Sequence, residues 1–158
     1  MAVGETRITD SHIEQYIGLS KEYNTFELND AVLKQDVGRA MRIAEHFAHN
    51  QKTYPITLTI TILFGLFQQL FLLNYHMWQS RKRGIPMPAD AELMRAIRAN
   101  NPFAVKELKA NIGRWNGPRL FKILGYLREY DAKSKGVDSG GLDGGELLKE
   151  LLLKIFMS

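Results

Sequence analysis

The sequence has no cysteine among its 158 residues. This excludes a disulfide framework and a thiolate metal site. A cysteine-free chain of this size suits a reducing compartment, and the N-terminus has neither the basic start nor the apolar run of a secretory signal. We therefore expect a cytoplasmic protein of one domain or slightly more.

Charged residues are missing from one long stretch, residues 54–80. About 20 apolar residues suffice to cross a membrane. The basic triplet at residues 81–83, which follows the stretch, would suit the cytoplasmic flank of such a span. Length and composition alone therefore leave a membrane span open.

The polar residues of this stretch decide between a membrane span and a buried helix. They recur at steps of three, four or seven and form a stripe about 120° wide on a helix. The members of this stripe are Thr57, Thr61, Gly65, Gln68, Gln69, His76 and Gln79. Glutamines and a histidine are costly in hydrocarbon, so we predict the long central helix of a soluble bundle, buried on most sides. Its least buried seam would carry Thr57, Thr61, Gln68 and Gln69.

The start of the stretch is ambiguous. Residues 56–62 alternate isoleucine or leucine with threonine, which also fits a strand. Pro55 favours a helix, because proline is well tolerated in a first helical turn.

Stop and start signals divide the rest of the chain into further helices. Asn101-Pro102 and Asn116-Gly117-Pro118 each end one helix and cap the next, and Asp36 does the same earlier. Residues 136–145 hold five glycines and predict a flexible loop before a last amphipathic helix over 146–157. The predicted fold is all-α, a helical bundle of about seven helices around one long central helix.

Positive charge is concentrated in the third quarter of the chain. Residues 81–128 carry eleven lysines and arginines but only three acids, a net charge of +8, whereas residues 1–80 have a net charge of −2. Six of these cations lie on two predicted helices and would form a basic contact face if the helices are antiparallel neighbours. They are Lys106, Lys109, Arg114, Arg119, Lys122 and Arg128. The nearby Phe103, Trp115 and Phe121 are predicted to be core residues rather than platforms for bases.

Catalytic motifs are missing from the sequence. It has no nucleophile elbow, and no glycine-rich loop with a phosphate-binding lysine. His46 and His49 are three residues apart but lack a third ligand, so we predict neither a metal nor any cofactor. Glu146 and Glu150 predict a solvated helix face. We therefore expect no enzyme and no small-molecule substrate.

The order of these signals resembles the C-terminal part of the delta subunits of the bacterial DNA polymerase III clamp loader. Four groups of residues carry the resemblance. They are Phe26-Glu27-Leu28-Asn29-Asp30-Ala31 with Asp36 and Ala40-Met41-Arg42-Ile43; the long apolar helix with Phe67-Gln68-Gln69-Leu70; Asn101-Pro102-Phe103-Ala104-Val105-Lys106; and Tyr130-Asp131-Ala132-Lys133-Ser134-Lys135-Gly136. Ile8-Thr9 with Ile13 is similar to the last helix of that family's AAA+ lid domain.

The resemblance implies an assembly role within DNA replication. Residues 1–23 would be the end of an AAA+-like lid domain and a linker, and residues 24–158 a helical collar domain. In the family this domain joins its counterparts on the other loader subunits into a ring, and contact with DNA is possible through the complex. The alternative from the residues alone is a freestanding basic helical domain that binds nucleic acid.

Overall fold

The computed structural model describes residues 23–158, and it contains helices and turns but no strand in that range. The all-α prediction is confirmed. The elements are α1 Thr25–Leu33, α2 Val37–Ala48, α3 Ile56–Arg83, α4 Asp90–Ala96, α5 Pro102–Asn111, a 3-10 turn Ile112–Arg114, α6 Gly117–Ser134 and α7 Gly144–Met157. The short helix and lid-like segment predicted before residue 23 lie outside the described residues.

Side-chain caps fix where five of the helices begin. The side-chain oxygens of Asn24, Asp36, Asn101, Asn116 and Asp143 each accept a hydrogen bond from a first-turn amide of the following helix. Each such cap stabilises its helix by about 1 kcal/mol. α7 begins two residues earlier than predicted, because Asp143 and Glu146 form a reciprocal capping box.

The long helix α3 is the axis of the bundle, as predicted, and the strand alternative for residues 56–62 is wrong. α3 continues through the basic triplet and ends at Gly84, which adopts a left-handed conformation with φ 68°. Cations in the last turn favour this extension, since they interact well with the helix dipole. α6 makes the most extensive contact with α3.

Trp115 joins three parts of the core. Its fully buried ring packs edge-on against Phe67 of α3, with the ring centroids 5.1 Å apart. Its indole Nε1 donates a hydrogen bond of 3.1 Å to the carbonyl oxygen of Leu33 at the end of α1. The predicted core role of Trp115 is confirmed.

Two helices end at changes of backbone geometry. α4 ends at Ala96, because Arg98 takes a left-handed conformation with φ 60°. The side-chain amide of Gln69 donates to the Arg98 carbonyl oxygen at 2.9 Å and so replaces a lost helical bond. α5 gives way to the 3-10 turn at Ile112.

α7 packs closely on α2. A β-carbon built on Gly145 would lie 2.5 Å from the β-carbon of Ala48, so only glycine permits this approach. A salt bridge between Lys149 and Glu45 also links these helices, and its hydrogen bond lowers the pKa of Glu45. The C-terminal helix is thereby fixed against the N-terminal half of the bundle.

Candidate interaction surface

The side of α3 that faces away from the core is apolar and exposed. We call it the outer face of α3 and define it by Leu58, Thr61, Phe64, Tyr75 and Trp78. The four large apolar members of this face are between 40% and 47% exposed. The buried side chains of the helix, which include Leu63, Phe67 and Leu70, lie on the opposite side. The prediction that α3 is buried on most sides is therefore wrong.

The predicted polar seam is only partly the least buried line of α3. Thr57 and Thr61 are exposed, whereas Gln68 and Gln69 are half-buried. Gln69 is turned toward the end of α4, and the Thr61 hydroxyl donates to the Thr57 carbonyl oxygen at 2.9 Å. Two of the four polar side chains, those of Thr61 and Gln69, are therefore hydrogen-bonded within the chain.

By length and composition α3 also qualifies as a membrane span. Its most apolar 18-residue window has a mean hydropathy of 2.0, and 39% of that window is buried inside the bundle. A core helix of a soluble protein passes the same test. The packing of its inner side on α1, α6 and α7 supports the bundle interpretation.

A groove of about 690 Å³ runs between α3 and α6. We call it the α3–α6 groove. Aromatic and aliphatic side chains form most of its walls. They are Ile60, Phe64 and Phe71 from α3, and Phe121, Leu124 and Leu127 from α6. Phe121 was predicted to be a core residue but is 73% exposed, so no element within residues 23–158 covers this groove.

Three charged residues line the same groove: Arg128 and Asp131 on α6, and Lys135 directly after it. Asp131 and Lys135 form a salt bridge, with Oδ2 and Nζ 3.0 Å apart. Arg128 forms no ion pair with any residue of the described chain. The α3 wall of the groove is therefore uncharged and its floor is apolar. Arg128 is the lining cation that has no ion-pair partner within residues 23–158.

The six cations of the predicted basic face do not have a common environment. Lys106, Lys122 and Arg128 are exposed. Lys109 is neutralised by Asp90, with its Nζ 2.7 Å from the carboxylate. Arg114 is exposed, and its Nε donates to the Asn111 side chain at 3.3 Å.

Arg119 is half-buried, and its side chain links parts of the bundle to one another. Its guanidinium stacks over Trp115 at 4.2 Å from the ring centroid. It donates to the Ile155 carbonyl oxygen at 3.2 Å and to the Ser158 hydroxyl at 3.0 Å, at the C-terminal end of α7. It also donates to the Arg114 carbonyl oxygen at 2.8 Å. Burial lowers the pKa of Arg119, and the carbonyl oxygens around it complement its charge.

Searches of protein-family models, curated proteins and solved structures find no match to this chain. The interaction surface must therefore be interpreted from its own residues.

Two further aromatic side chains are exposed, one of which, Phe103, was predicted to be a core residue. Phe26 at the start of α1 is 74% exposed, and Phe103 at the start of α5 is 68% exposed. Each lies in the first turn of its helix, where the bundle does not reach around it. Lys106 follows Phe103 by one helical turn, so an aromatic ring and a cation are adjacent there.

The two histidines at the end of α2 have separate partners. The His46 ring packs against Tyr23 and Tyr54, with centroid separations of 5.1 Å and 5.7 Å. His49 Nδ1 lies 2.9 Å from the Glu45 carbonyl oxygen. Within residues 23–158, no three histidine, aspartate or glutamate side chains gather as a metal site would require.

The face of α7 that was predicted to be solvated has specific contacts. The hydroxyl of the fully buried Tyr130 donates to the carboxylate of Glu150, and Glu146 completes the capping box. Burial, reinforced by the neighbouring Glu150 carboxylate, raises the pKa of Tyr130 well above its ordinary value. Glu150 thus links α7 to α6 through a hydrogen bond and is not merely a solvent-exposed side chain.

Proposed function

We propose that residues 24–158 are a subunit-assembly domain, the collar domain of a clamp-loader delta subunit in a bacterial DNA polymerase III holoenzyme. Its role is to hold loader subunits together while the complex loads a sliding clamp in DNA replication. The domain itself performs no catalytic step. Its partners are the other loader subunits, and it works in the cytoplasm without cofactor or membrane.

The exposed outer face of α3 carries this proposal. Leu58 and Phe64 lie within two turns of each other near the start of α3, and Tyr75 stacks on Trp78 near its end. Exposed apolar clusters of this kind are typical of protein interfaces. Covering the exposed parts of Leu58, Phe64, Tyr75 and Trp78 would contribute about 1 kcal/mol each. The exposed side chains alone do not say which complex the domain joins. We infer a clamp loader from the resemblance in the order of the sequence motifs.

A ring also requires two different surfaces on each subunit, because ring contacts are head to tail. Phe26 and Phe103 offer exposed aromatic side chains on helices other than α3 and α6. The arrangement is thus compatible with neighbours on two sides.

The test is to mix the purified chain with the remaining loader subunits and measure the mass of the product by sizing chromatography with light scattering. We expect a stoichiometric complex that Trp78→Glu on the outer face weakens. Val137→Glu is the matched control, because Val137 is also exposed but lies in the loop before α7. A mixture in which the chain elutes alone would refute the proposal.

A second candidate function is direct binding of nucleic acid, and the exposed Phe103 beside Lys106 favours it. An aromatic ring can stack on a base while a nearby cation contacts phosphate. Lys122 adds an exposed cation on α6. This function predicts DNA affinity that falls steeply with salt and is lost in Lys106→Gln with Lys122→Gln. Fluorescence anisotropy with labelled single-stranded DNA would measure it, and salt-independent or absent binding would exclude it.

A further inference from the structure

We propose that the α3–α6 groove binds an acidic amphipathic helix of a neighbouring loader subunit, an assignment that rests on the proposed assembly function. Three observations support this assignment. They are the shape of the groove, its exposed phenylalanines, and Arg128, a cation with no ion-pair partner within residues 23–158. Each restricts the chemistry of the occupant.

The shape of the groove fits a helix. A groove between two packed helices accepts the side-chain ridge of a third helix, and an amphipathic helix inserts apolar anchors at steps of three and four residues. Phe121 rises from α6 and Phe64 from α3 on either side of the groove, and both are exposed. Leu124 and Phe71 are half-buried between them and would form the floor under the anchors.

The charges of the groove determine what flanks the anchors. Residues 54–80, which form most of α3, carry no charge. The α3 wall of the groove therefore favours apolar side chains of the occupant. On the α6 wall Asp131 and Lys135 neutralise each other, whereas Arg128 has no ionic partner in the described chain. Covering Arg128 without giving it a partner would be unfavourable, so we expect the occupant to place a carboxylate opposite it.

A second copy of the chain fits this requirement poorly. In a symmetric contact between two grooves, each copy would present the same lining residues. The only carboxylate among them belongs to Asp131, and it is already paired with Lys135. Charge complementarity therefore favours a different subunit, one that presents an acidic helix.

The experiment measures the affinity of the full chain for the remaining loader subunits with two groove variants. We expect Phe121→Glu to weaken binding about 30-fold, because it places a charge where a central anchor would be covered. We expect Arg128→Glu to weaken binding at least tenfold, since it sets two carboxylates against each other. Lys52→Glu is the control. It makes the same change in net charge as Arg128→Glu, but at an exposed lysine of the loop between α2 and α3.

A photoreactive amino acid at position 121 identifies the occupant. The expected crosslink joins this position to a helix of another subunit that carries an apolar stripe and an aspartate or glutamate beside it. Circular dichroism of each variant confirms that the bundle remains folded before binding is compared.

The outcomes separate this inference from the proposed function. If the complex forms and both groove variants bind as the Lys52→Glu control does, the groove assignment is overturned and the assembly function stands. A crosslink to a second copy of the chain, or to a basic segment, also overturns it. If no complex forms with the unmodified chain, the assembly function fails and the groove assignment fails with it.

Discussion

Replacing Gly145 with alanine should destabilise the protein, although alanine is a better helix former than glycine. The new β-carbon would lie 2.5 Å from the β-carbon and 2.9 Å from the α-carbon of Ala48. Carbon atoms in contact are normally about 3.5–4.0 Å apart, so α2 and α7 would have to separate by about 1 Å. Overpacking of this kind costs about 1–3 kcal/mol.

The gain in helix propensity offsets only part of this cost. It amounts to at most about 1 kcal/mol in a helix interior, and Gly145 lies in the first turn of α7. We therefore expect the free energy of unfolding of Gly145→Ala to fall by about 1–2 kcal/mol.

Gly125→Ala is the matched control, since it makes the same substitution within a helix where space is open. Gly125 lies inside α6, and a β-carbon there would meet no other atom within 4 Å. We expect this variant to be more stable than the wild type by about 0.5–1 kcal/mol. Urea unfolding followed by far-ultraviolet circular dichroism measures both changes. A Gly145→Ala protein as stable as Gly125→Ala would refute the close approach of α2 and α7.

Three other substitutions test single contacts by the same unfolding assay. Arg119→Met should cost about 2 kcal/mol because it removes the charged hydrogen bonds to the end of α7, whereas Lys106→Met should change stability by less than about 0.5 kcal/mol. Asp143→Ala removes the capping box of α7 and should cost about 1 kcal/mol, a prediction that fails if α7 is unaffected. The raised pKa of Tyr130 favours its protonated form in the folded state, so its contribution is complete below the ordinary pKa of 10.0 and is lost as pH rises above it. Wild type should therefore lose up to about 1.4 kcal/mol per pH unit more than Tyr130→Phe above pH 10.0, and equal slopes would contradict this.

The sequence predicts well those features that depend on a few neighbouring residues. Asn101-Pro102 and Asn116-Gly117-Pro118 begin helices where predicted, because a cap and a fixed proline φ act within a single turn. The core position of Trp115 is also correct, since a large apolar ring in an apolar periodic pattern has few alternatives.

The sequence does not predict contacts between distant segments. Arg119 belongs to a spaced series of cations, and nothing near it in sequence shows that it will reach Ile155 and Ser158 at the end of α7. The same holds for Tyr130 and Glu150, which lie on different helices, and for Gly145, whose importance depends on Ala48. Only the three-dimensional arrangement of α2, α6 and α7 reveals these roles.

Apolar periodicity also does not reveal which chain covers an apolar face. Phe121 and the outer face of α3 carry the same residue types as the core, so a pattern-based reading places them inside. The helices of residues 23–158 bury the inner side of α3, but none of them covers its outer side or the α3–α6 groove.

The apolar composition of residues 54–80 fits three environments: lipid, the protein's own core, and the surface of another subunit. What separates these alternatives is the distribution of partners around the helix. Lipid would surround α3, and a core would enclose it, but here one side packs on α1, α6 and α7 while the other stays exposed. The α3–α6 groove is mostly apolar, and its Arg128 has no ion-pair partner within residues 23–158, so we expect a partner that is apolar and carries one opposite charge. Lipid tails lack that charge, and a protein helix can provide it, which is why we favour assembly over insertion.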